Sequence, residues 1–337
     1  MKKMRTKYVL KSLFVLAICL AFAGCEEELG EGVNLKDIQV GDNLRVNIGE
    51  TARAQAWPVP WDCTNYEFQW ESANATIATV DNYGRVFAED IGNTTIYVSQ
   101  GSIKKEIPVE VYEVTLQEKL EAISGLVGFW QFDDASNMEK ATVGKDLVTY
   151  LRTENGVLGS PSTEGISQVA GYNKRDYAVQ IGHQSLFFAD HGIPATAESN
   201  LVKEYTILWD INRPAGDGGY ATLLNTSVTN SNDQDYAIKN SGVVGVGTCG
   251  YSSQTMSRDT WYRVVICLKA DEYLRIYVNG IKWLEGKSYT DDRFKLDPAG
   301  TLIMGDEDSD DHTMYLSSAA IYSRALSEDE IKSLGGL

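Results

Sequence analysis

The sequence has few of the side chains on which enzymes most often depend. It holds three histidines in 337 residues, and none of its five cysteines shows the Cys-x-x-Cys or Cys/His spacing of a zinc site. A Gly-x-Ser-x-Gly nucleophile motif is absent, and no strand-like segment carries the acids that retaining glycosidases place about 5–5.5 Å apart. The glycine-rich run from Gly242 lacks a following lysine and helix, so it predicts a strand rather than a phosphate loop. These absences favour a non-catalytic protein.

Basic residues are also scarce. Thirty Lys and Arg stand against 47 Asp and Glu, which gives a formal net charge of −17. Phosphate backbones and anionic lipid headgroups repel so acidic a protein, which disfavours nucleic-acid binding and electrostatic docking to a membrane. Neutral partners, or cations, fit this charge better.

The apolar stretch near the start is too short to span a bilayer, which takes roughly 20 residues. It runs from Leu13 to Ala23, follows a basic start and precedes Cys25, which predicts a signal peptide over residues 1–24. Ala-Phe-Ala-Gly-Cys resembles a bacterial lipoprotein signal, although Phe22 stands where leucine is usual. The resemblance implies lipidation at Cys25, and the acidic residues behind it resemble the surface-export tag of gut Bacteroidetes. We expect a lipid-anchored outer-membrane protein exposed at the cell surface, with plain secretion as the alternative.

The cysteines leave an odd number in the folded protein. Cys19 leaves with the signal and Cys25 is assigned to lipid, so Cys63, Cys249 and Cys267 remain. Two interpretations stay open. Either all three are small buried or half-buried side chains, or Cys249 and Cys267 form a disulfide between neighbouring strands.

Composition and patterning predict an all-β protein of two or three domains. With 43% hydrophobic and 23% charged residues the chain is ordinary for a globular protein, and residues 25–34 are a Gly- and Glu-rich tether. Thereafter short segments alternate apolar and polar residues between turn signals, which indicates half-buried strands. We expect a small β-sandwich over residues 35–114, a linker helix over 115–124 and a larger β-sandwich over 125–337.

A set of spaced residues marks the first sandwich. Its members are Trp70, Ser72, Asn74, Ile77, Ala78, Val80, Asp81, Gly84, Val86, Gly92, Thr95 and Ile96. With these residues, 35–114 resembles the bacterial Ig-like domain of group 2, which implies a spacer or adhesion module with Trp70 in its core. The loop Trp57-Pro-Val-Pro-Trp61 is unusual, and its two tryptophans either stack on a sugar or pack over the end of the sandwich.

The clearest hairpin of the second domain turns at Asn279-Gly280, the pair that a type I′ turn prefers because both positions need positive φ. This turn pairs Val278 with Ile281 and predicts that Ile276 faces Trp283. One predicted face holds Leu274, Ile276, Val278, Ile281 and Trp283, with Trp283 in the core. The other holds Arg275, Tyr277, Lys282 and Leu284. The preceding strand, Trp261–Lys269, has Tyr262, Val264, Ile266 and Leu268 on one side and Arg263, Val265 and Cys267 on the other.

Four separated stretches of residues 125–337 converge on one family. They begin at Leu126, Tyr205, Trp261 and Ala320. The last is a closing strand that runs into a helix capped by Ser327, with Glu330 at the capping-box position. In this order the stretches resemble the laminin-G-like, concanavalin A-like lectin/glucanase superfamily. The resemblance implies a jelly-roll of two curved antiparallel sheets, whose concave face or rim loops often bind carbohydrate.

Relatives in that superfamily often hold a structural calcium between acids that follow the first strand and an acid of the closing strand. Asp133 and Asp134 occupy the first position and are the predicted metal ligands. The closing strand here reads Leu316-Ser-Ser-Ala-Ala and lacks its carboxylate, so the two aspartates are alternatively solvated or cap a turn. Asp306–Asp311 is another candidate cation loop. Calcium is the cofactor that the resemblance suggests.

Sugar recognition needs aromatic faces for the ring and planar polar groups for the hydroxyls. The hairpin's polar face, the neighbouring strand and two loop tyrosines supply the candidates: Arg263, Arg275, Tyr277, Lys282, Tyr220 and Tyr251. Otherwise these tyrosines shield the sheet and the arginines pair with acids. We predict a non-catalytic surface lipoprotein that binds a polysaccharide or oligosaccharide, with proteins of a glycan-uptake system as further partners. The alternatives are an adhesin that binds another protein and a glycoside hydrolase with an unrecognised site.

Overall fold

The structure, a computed structural model, describes residues 32–152, 158–172, 177–182, 184–216, 218–226, 236–247, 249–286, 292–305 and 312–337. The chain divides into two compact units, with the boundary between Val114 and Thr115. The predicted signal, Cys25, residues 25–31 of the tether and the whole acidic loop at 306–311 fall outside the described residues. Within the described ranges, no helix is long and apolar enough to cross a membrane.

The described part of the first unit is built from short strands. They are β1 (Asp37–Val40), β2 (Leu44–Asn47), β3 (Thr51–Arg53), β4 (Ala56–Val59), β5 (Gln69–Ser72), β6 (Ala78–Val80), β7 (Arg85–Ala88), β8 (Gly92–Gln100) and β9 (Ile103–Tyr112). One sheet has the order β2-β9-β8-β5, a second has the order β3-β7-β6, and β1 pairs with β4. Strand β2 runs parallel to β9, whereas the pairs within the second sheet are antiparallel.

An aliphatic core holds the first unit together. In β9, Ile107, Val109 and Val111 are buried while the residues between them are exposed, as the alternating pattern predicts. Val46, Val86 and Ile96 from the other strands join the same cluster, and Trp70 packs against it, which confirms its predicted place.

The described part of the second unit is also mainly strands. They are β10 (Leu126–Trp130), β11 (Val148–Arg152), β12 (Leu158–Pro161), β13 (Ile166–Ala170), β14 (Tyr177–Ile181), β15 (Ser185–Ala189), β16 (Glu204–Asn212), β17 (Ala221–Asn225), β18 (Tyr236–Ile238), β19 (Val244–Val246), β20 (Gly250–Tyr251), β21 (Trp261–Lys269), β22 (Tyr273–Val278), β23 (Ile281–Gly286), β24 (Thr301–Ile303) and β25 (Met314–Tyr322). Helix α1 is Leu116–Glu121, helix α2 is Glu328–Leu334, and a 3-10 helix spans Asp292–Phe294.

These strands form two antiparallel sheets. Sheet A has the order β13-β14-β25-β16-β21-β22-β23, with β10 also paired to β25, and sheet B has the order β12-β11-β15-β24-β17-β18-β19-β20. The main core joins large side chains of both sheets, among them Trp130, Tyr205 and Trp209 of sheet A and Phe187 and Tyr236 of sheet B. The predicted all-β fold, an Ig-like sandwich followed by a concanavalin A-like jelly-roll, is confirmed.

The hairpin of β22 and β23 confirms the predicted turn but not the whole predicted register. Asn279 and Gly280 both have positive φ, and Val278 pairs with Ile281. Ile276 pairs with Leu284 instead of Trp283, because a register shift follows the Tyr277–Lys282 pair. Ile281 keeps its predicted partner but is 64% exposed, so it does not lie in the core, whereas Trp283 is half-buried against the main core.

Two short helices cover the outer face of sheet A. Leu120 of α1 and Ile331 and Leu334 of α2 form a second buried cluster with Val265, Cys267 and Tyr277 of that sheet. Both helices begin with a complete capping box, Thr115 with Glu118 in α1 and Ser327 with Glu330 in α2. The second of these boxes was expected from the sequence. Helix α1, predicted as a linker, belongs by its packing to the second unit.

The carboxylate of Glu330 at the start of α2 makes part of the stability of the second unit depend on pH. Arg324 binds it through two hydrogen bonds of 2.6 and 3.0 Å, and this contact, with Ser327, lowers its pKa from 4.5 to about 2. A depressed folded-state pKa gives stability that is present above 4.5 and lost as the pH falls toward 2. We expect Glu330→Gln to lower the Tm at neutral pH, with the gap from wild type closing as the pH falls to about 2. Thermal unfolding at several pH values measures this, with Glu121→Gln as the control for loss of one surface carboxylate. A difference in Tm between Glu330→Gln and wild type that does not change with pH would contradict the lowered pKa of Glu330.

Candidate functional site

Two of the predicted sugar-binding residues are buried. Tyr277 is 0% exposed and lies beneath the helices that cover sheet A, where burial raises the pKa of its hydroxyl to about 12. Arg263 is 4% exposed on the neighbouring strand. A sugar cannot stack on a ring that has no surface, so the assignment of Tyr277 and Arg263 to a binding surface is corrected: both belong to the interior.

Arg263 is the centre of a buried polar network. Its Nε and Nη2 each donate to a carboxylate oxygen of Asp210 at 2.8 Å, and its Nη1 donates to the backbone carbonyl of Leu334 in α2. Ser318 donates to the same carboxylate at 2.7 Å. The network ties strands β16, β21 and β25 to the C-terminal helix, so the role of Arg263 is structural.

The other two hairpin candidates are engaged with an acid. Arg275 and Lys282 both form ion pairs with Glu285, and the guanidinium of Arg275 also lies 3.8 Å from the centroid of the Tyr273 ring. These two bases lower the pKa of Glu285. This hairpin surface is a set of paired charges, in agreement with the alternative that the arginines pair with acids.

The two loop tyrosines, by contrast, come together at one rim of sheet B. Tyr220 directly precedes β17 and Tyr251 ends β20, and both are half-exposed. Between them lies Lys239, whose Nζ is 3.7 Å from the ring centroid of Tyr251 and 5.7 Å from that of Tyr220. We call Tyr220, Lys239 and Tyr251 the rim site. Lys239 was not predicted from the sequence, where its only local signal is a polar residue directly after the buried strand β18.

A small pocket of about 160 Å³ lies beside the rim site. Its lining includes two arginines, Arg213 and Arg258, together with His312 and Tyr315. Arg213 donates to the carbonyl of Lys239 at 2.8 Å. Burial, with Arg258 nearby, lowers the pKa of Arg213 to about 10. The pocket is therefore joined to the rim site through the backbone of Lys239.

Glycines allow the strands at this rim to approach closely. Gly245 of β19 has a φ of 158°, and a Cβ there would meet the carbonyl of Gly250 and the Cα of Tyr251. Gly219, next to Tyr220, leaves room for the ring of His312 in the same way. The glycine-rich run that the sequence predicted as a strand is thus β19, and its small residues place Tyr251 at the rim.

The predicted calcium ligands lie after β10. Asp134 accepts hydrogen bonds from the backbone N and the Oγ of Ser136 at 2.9 and 2.6 Å, which lower its pKa, while Asp133 is exposed. Asp134 thus caps a turn, which is one of the alternatives to calcium binding that the sequence left open. Among the residues that the structure describes, no group of three His, Cys, Asp or Glu is placed to hold a metal ion. Calcium binding by Asp133 and Asp134 stays a prediction.

No disulfide joins any two of the three cysteines among the described residues. Cys63 and Cys267 are buried and Cys249 is half-buried. Burial raises the pKa of the Cys267 thiol to about 11, and its sulfur lies 3.1 Å from the Oγ1 of Thr206. Of the two interpretations, the structure confirms that the three cysteines are small buried or half-buried side chains and contradicts a Cys249–Cys267 disulfide.

Comparison with known families matches each unit separately. Residues 36–111 match the bacterial Ig-like domain (group 2) family, and residues 200–332 match the concanavalin A-like lectin/glucanases superfamily. The predicted order, an Ig-like domain followed by a concanavalin A-like domain, is therefore shown. No curated protein matches the sequence significantly.

Solved structures with similar folds are distant in sequence. Domain 4 of AbnA, an extracellular arabinanase of Geobacillus stearothermophilus solved with arabinotriose, is 15% identical with a TM-score of 0.46, over 63% of this chain and 98% of that one. The binding domain of Paraclostridial mosquitocidal protein 1 is 16% identical with a TM-score of 0.41, over 62% and 51%. Trypanosoma rangeli sialidase solved with sialic acid is 12% identical with a TM-score of 0.40, over 76% and 43%. The chain thus spans nearly all of the first structure and about half or less of the other two.

Proposed function

We propose that the protein is a non-catalytic carbohydrate-binding protein whose second unit holds a polysaccharide or oligosaccharide at the rim site. The observation that carries this proposal is the convergence of Tyr220 and Tyr251 on Lys239, beside a pocket with two guanidinium groups. Tyrosine faces suit the apolar face of a sugar ring, and ammonium and guanidinium groups donate to its hydroxyls. Membership of residues 200–332 in a superfamily of lectins and glucanases supports the same class of ligand.

The absence of catalysis is part of the proposal. Glycoside hydrolysis commonly needs two carboxyl groups across the scissile bond. Among the described residues that line the pocket beside the rim site, none is a carboxylate. The aromatic and cationic groups among the described residues of the rim site and its pocket are suited to holding a glycan rather than to cleaving it.

The setting of this binding unit is proposed from residues 1–34 of the sequence. A lipid on Cys25 would anchor the chain in the outer membrane at the cell surface, with the Ig-like unit as a spacer in the chain before the glycan-binding unit. Proteins of a glycan-uptake system are the partners that such a place suggests. Cell fractionation tests the anchor: Cys25→Ala should move the protein out of the membrane fraction, and its retention there would contradict lipidation.

A glycan array tests the binding function directly. The chain from residue 26, with and without EDTA, should bind one class of polysaccharide or oligosaccharide. Loss of binding in EDTA, and in the double variant Asp133→Asn with Asp134→Asn, would support the predicted calcium. A blank array with a folded protein would contradict glycan binding and favour the adhesin alternative.

The rim site makes a separate prediction about affinity. Tyr251→Ala and Lys239→Ala should each weaken binding of the array-positive glycan about tenfold, because each removes a face or a donor worth about 1–1.5 kcal/mol. Isothermal titration calorimetry measures the Kd. The matched control is Tyr177→Ala, which removes an exposed tyrosine of sheet A and should leave the Kd unchanged. Equal losses in Tyr251→Ala and Tyr177→Ala would contradict the placement of the site.

A further inference from the structure

A cleft of about 860 Å³ opens at one end of the first unit. It lies where β3 ends, where β5 begins and where β6 turns into β7, so three separate loop regions supply its walls. We call it the end-loop cleft. Its volume is within the range of about 300–1,000 Å³ that is typical of ligand pockets.

Aromatic rings line the end-loop cleft. They belong to Trp57, Tyr66, Phe68, Trp70 and Tyr83. Trp57, Tyr66 and Tyr83 are 45%, 44% and 72% exposed, although burial of such rings would be favourable. Large aromatic side chains left in solvent around one concave surface indicate an interaction site rather than core packing.

Part of this aromatic lining is held in place without a ligand. The centroids of Tyr66 and Phe68 lie 4.8 Å apart, and Trp70 packs against the core of the unit. Gly84, with a φ of 75°, lets the indole of Trp70 lie where a Cβ would stand. Asp81 fixes the adjoining turn by accepting from the backbone N of Tyr83 at 2.8 Å. Such preorganisation lowers the entropy lost when a ligand binds.

Polar side chains stand between the rings. They are Arg53, Gln55, Glu67, Gln69 and Asn82. Within residues 32–152, which are described without a gap, none of these side chains has a hydrogen-bond or ion-pair partner. Three amides, a guanidinium and a carboxylate together offer both donors and acceptors to a ligand.

This combination fits a saccharide better than a proline-rich peptide. Both ligands can lie on aromatic faces, but proline lacks a backbone N–H, so a proline-rich peptide would use the donors of the lining and leave its acceptors without a partner. A saccharide ring presents an apolar face and a rim of hydroxyls that both donate and accept. The one base and the one acid of the lining cancel, which suits an uncharged ligand, and the net charge of −17 disfavours a polyanion.

We propose that the end-loop cleft is a second saccharide-binding site, for uncharged glycans, on the Ig-like unit. Trp57 and Tyr83 form its stacking faces, and the amides of Gln55, Gln69 and Asn82 bind ring hydroxyls. The cleft shares no residue with the rim site, so either site can exist without the other.

Affinity gel electrophoresis tests this proposal on the chain from residue 26 carrying Tyr251→Ala, the change expected to weaken binding at the rim site about tenfold. The probes are arabinan, xyloglucan, mixed-linkage β-glucan and galactomannan as neutral polysaccharides, polygalacturonate as a polyanion, and a polyproline peptide followed by fluorescence. We expect at least one neutral polysaccharide to retard the protein. Adding Trp57→Ala or Tyr83→Ala should raise the apparent Kd about tenfold.

The matched control is Trp61→Ala. Trp61 is 88% exposed four residues beyond Trp57 but does not line the cleft, so its loss should leave retardation unchanged. The exposed positions of Trp57 and Tyr83 let the variants fold, which circular dichroism checks. No retardation by any neutral polysaccharide, equal effects of Trp57→Ala and Trp61→Ala, or binding of the polyproline peptide alone would each overturn the proposal. None of these outcomes decides the function of the rim site. That site is tested by Tyr251→Ala and Lys239→Ala in a protein whose end-loop cleft is unchanged.

Discussion

Arg263→Ala is expected to lower the free energy of unfolding of the second unit by about 3–5 kcal/mol, because it leaves the buried carboxylate of Asp210 without its charged partner. The same change removes the hydrogen bond from β21 to Leu334 of α2. Urea unfolding followed by circular dichroism measures the loss. Lys282→Ala is the matched control, since it removes a partly exposed cation of the same sheet whose ion pair with Glu285 is worth at most about 1 kcal/mol.

A second variant separates the cost of an unpaired charge from the worth of the pair. Asp210→Leu combined with Arg263→Met should be much closer to wild type than Arg263→Ala, because apolar residues often replace a buried ion pair at little cost. If Arg263→Ala and Lys282→Ala unfold at the same urea concentration, the buried network does not have the structural role assigned to it.

Tyr277→Ala is the second large effect, and it should be one of stability rather than of binding. The side chain is fully buried in the cluster under α1 and α2, so its truncation should cost about 3–5 kcal/mol. Tyr277→Phe should be neutral or stabilise by about 1 kcal/mol, because the hydroxyl is buried and has no hydrogen-bond partner among the described residues. Thermal unfolding of both variants gives the comparison.

Ligand binding by Tyr277→Phe distinguishes the two roles of this residue. The phenylalanine variant should bind the array-positive glycan with the Kd of wild type. A folded Tyr277→Phe protein that no longer binds glycan would show that the hydroxyl contacts the ligand. Tyr277 would then belong to the binding surface and not to the interior.

The local features of the fold were predictable because they depend on neighbours in sequence. Alternation placed Ile107, Val109 and Val111 on one buried face, and Asn279-Gly280 specified the hairpin turn. The spacing of Ser327 and Glu330 predicted the capping box of α2. Each of these signals is complete within a few residues, so no knowledge of the rest of the chain is needed.

The polar face of the hairpin could not be interpreted from sequence. Alternation shows that Arg275 and Tyr277 share a face, but it does not show what covers that face. Here α2, about 50 residues further along the chain, lies over Tyr277 and Arg263 and makes them internal. The register shift between Ile276 and Tyr277 likewise has no signal in the alternation of the hairpin residues.

Both candidate sites are assembled from separate segments. Tyr220 precedes β17, Lys239 follows β18 and Tyr251 ends β20, and only the pairing of β17, β18, β19 and β20 brings them to one rim. The sequence singled out Tyr220 and Tyr251 as loop tyrosines but had no reason to add Lys239. It likewise singled out Trp57 but could not join it to Tyr83, because only the folded unit brings β4 and the turn between β6 and β7 to one cleft.

Hydrogen–deuterium exchange of the chain from residue 26, with and without the glycan that binds on the array, tests glycan binding at the rim site without any substitution. Binding should slow exchange in the peptides that contain Tyr220, Lys239 and Tyr251. Exchange in the hairpin peptide that contains Tyr277 should be unchanged. Protection of the Tyr277 peptide with none at Tyr220, Lys239 and Tyr251 would contradict glycan binding at the rim site.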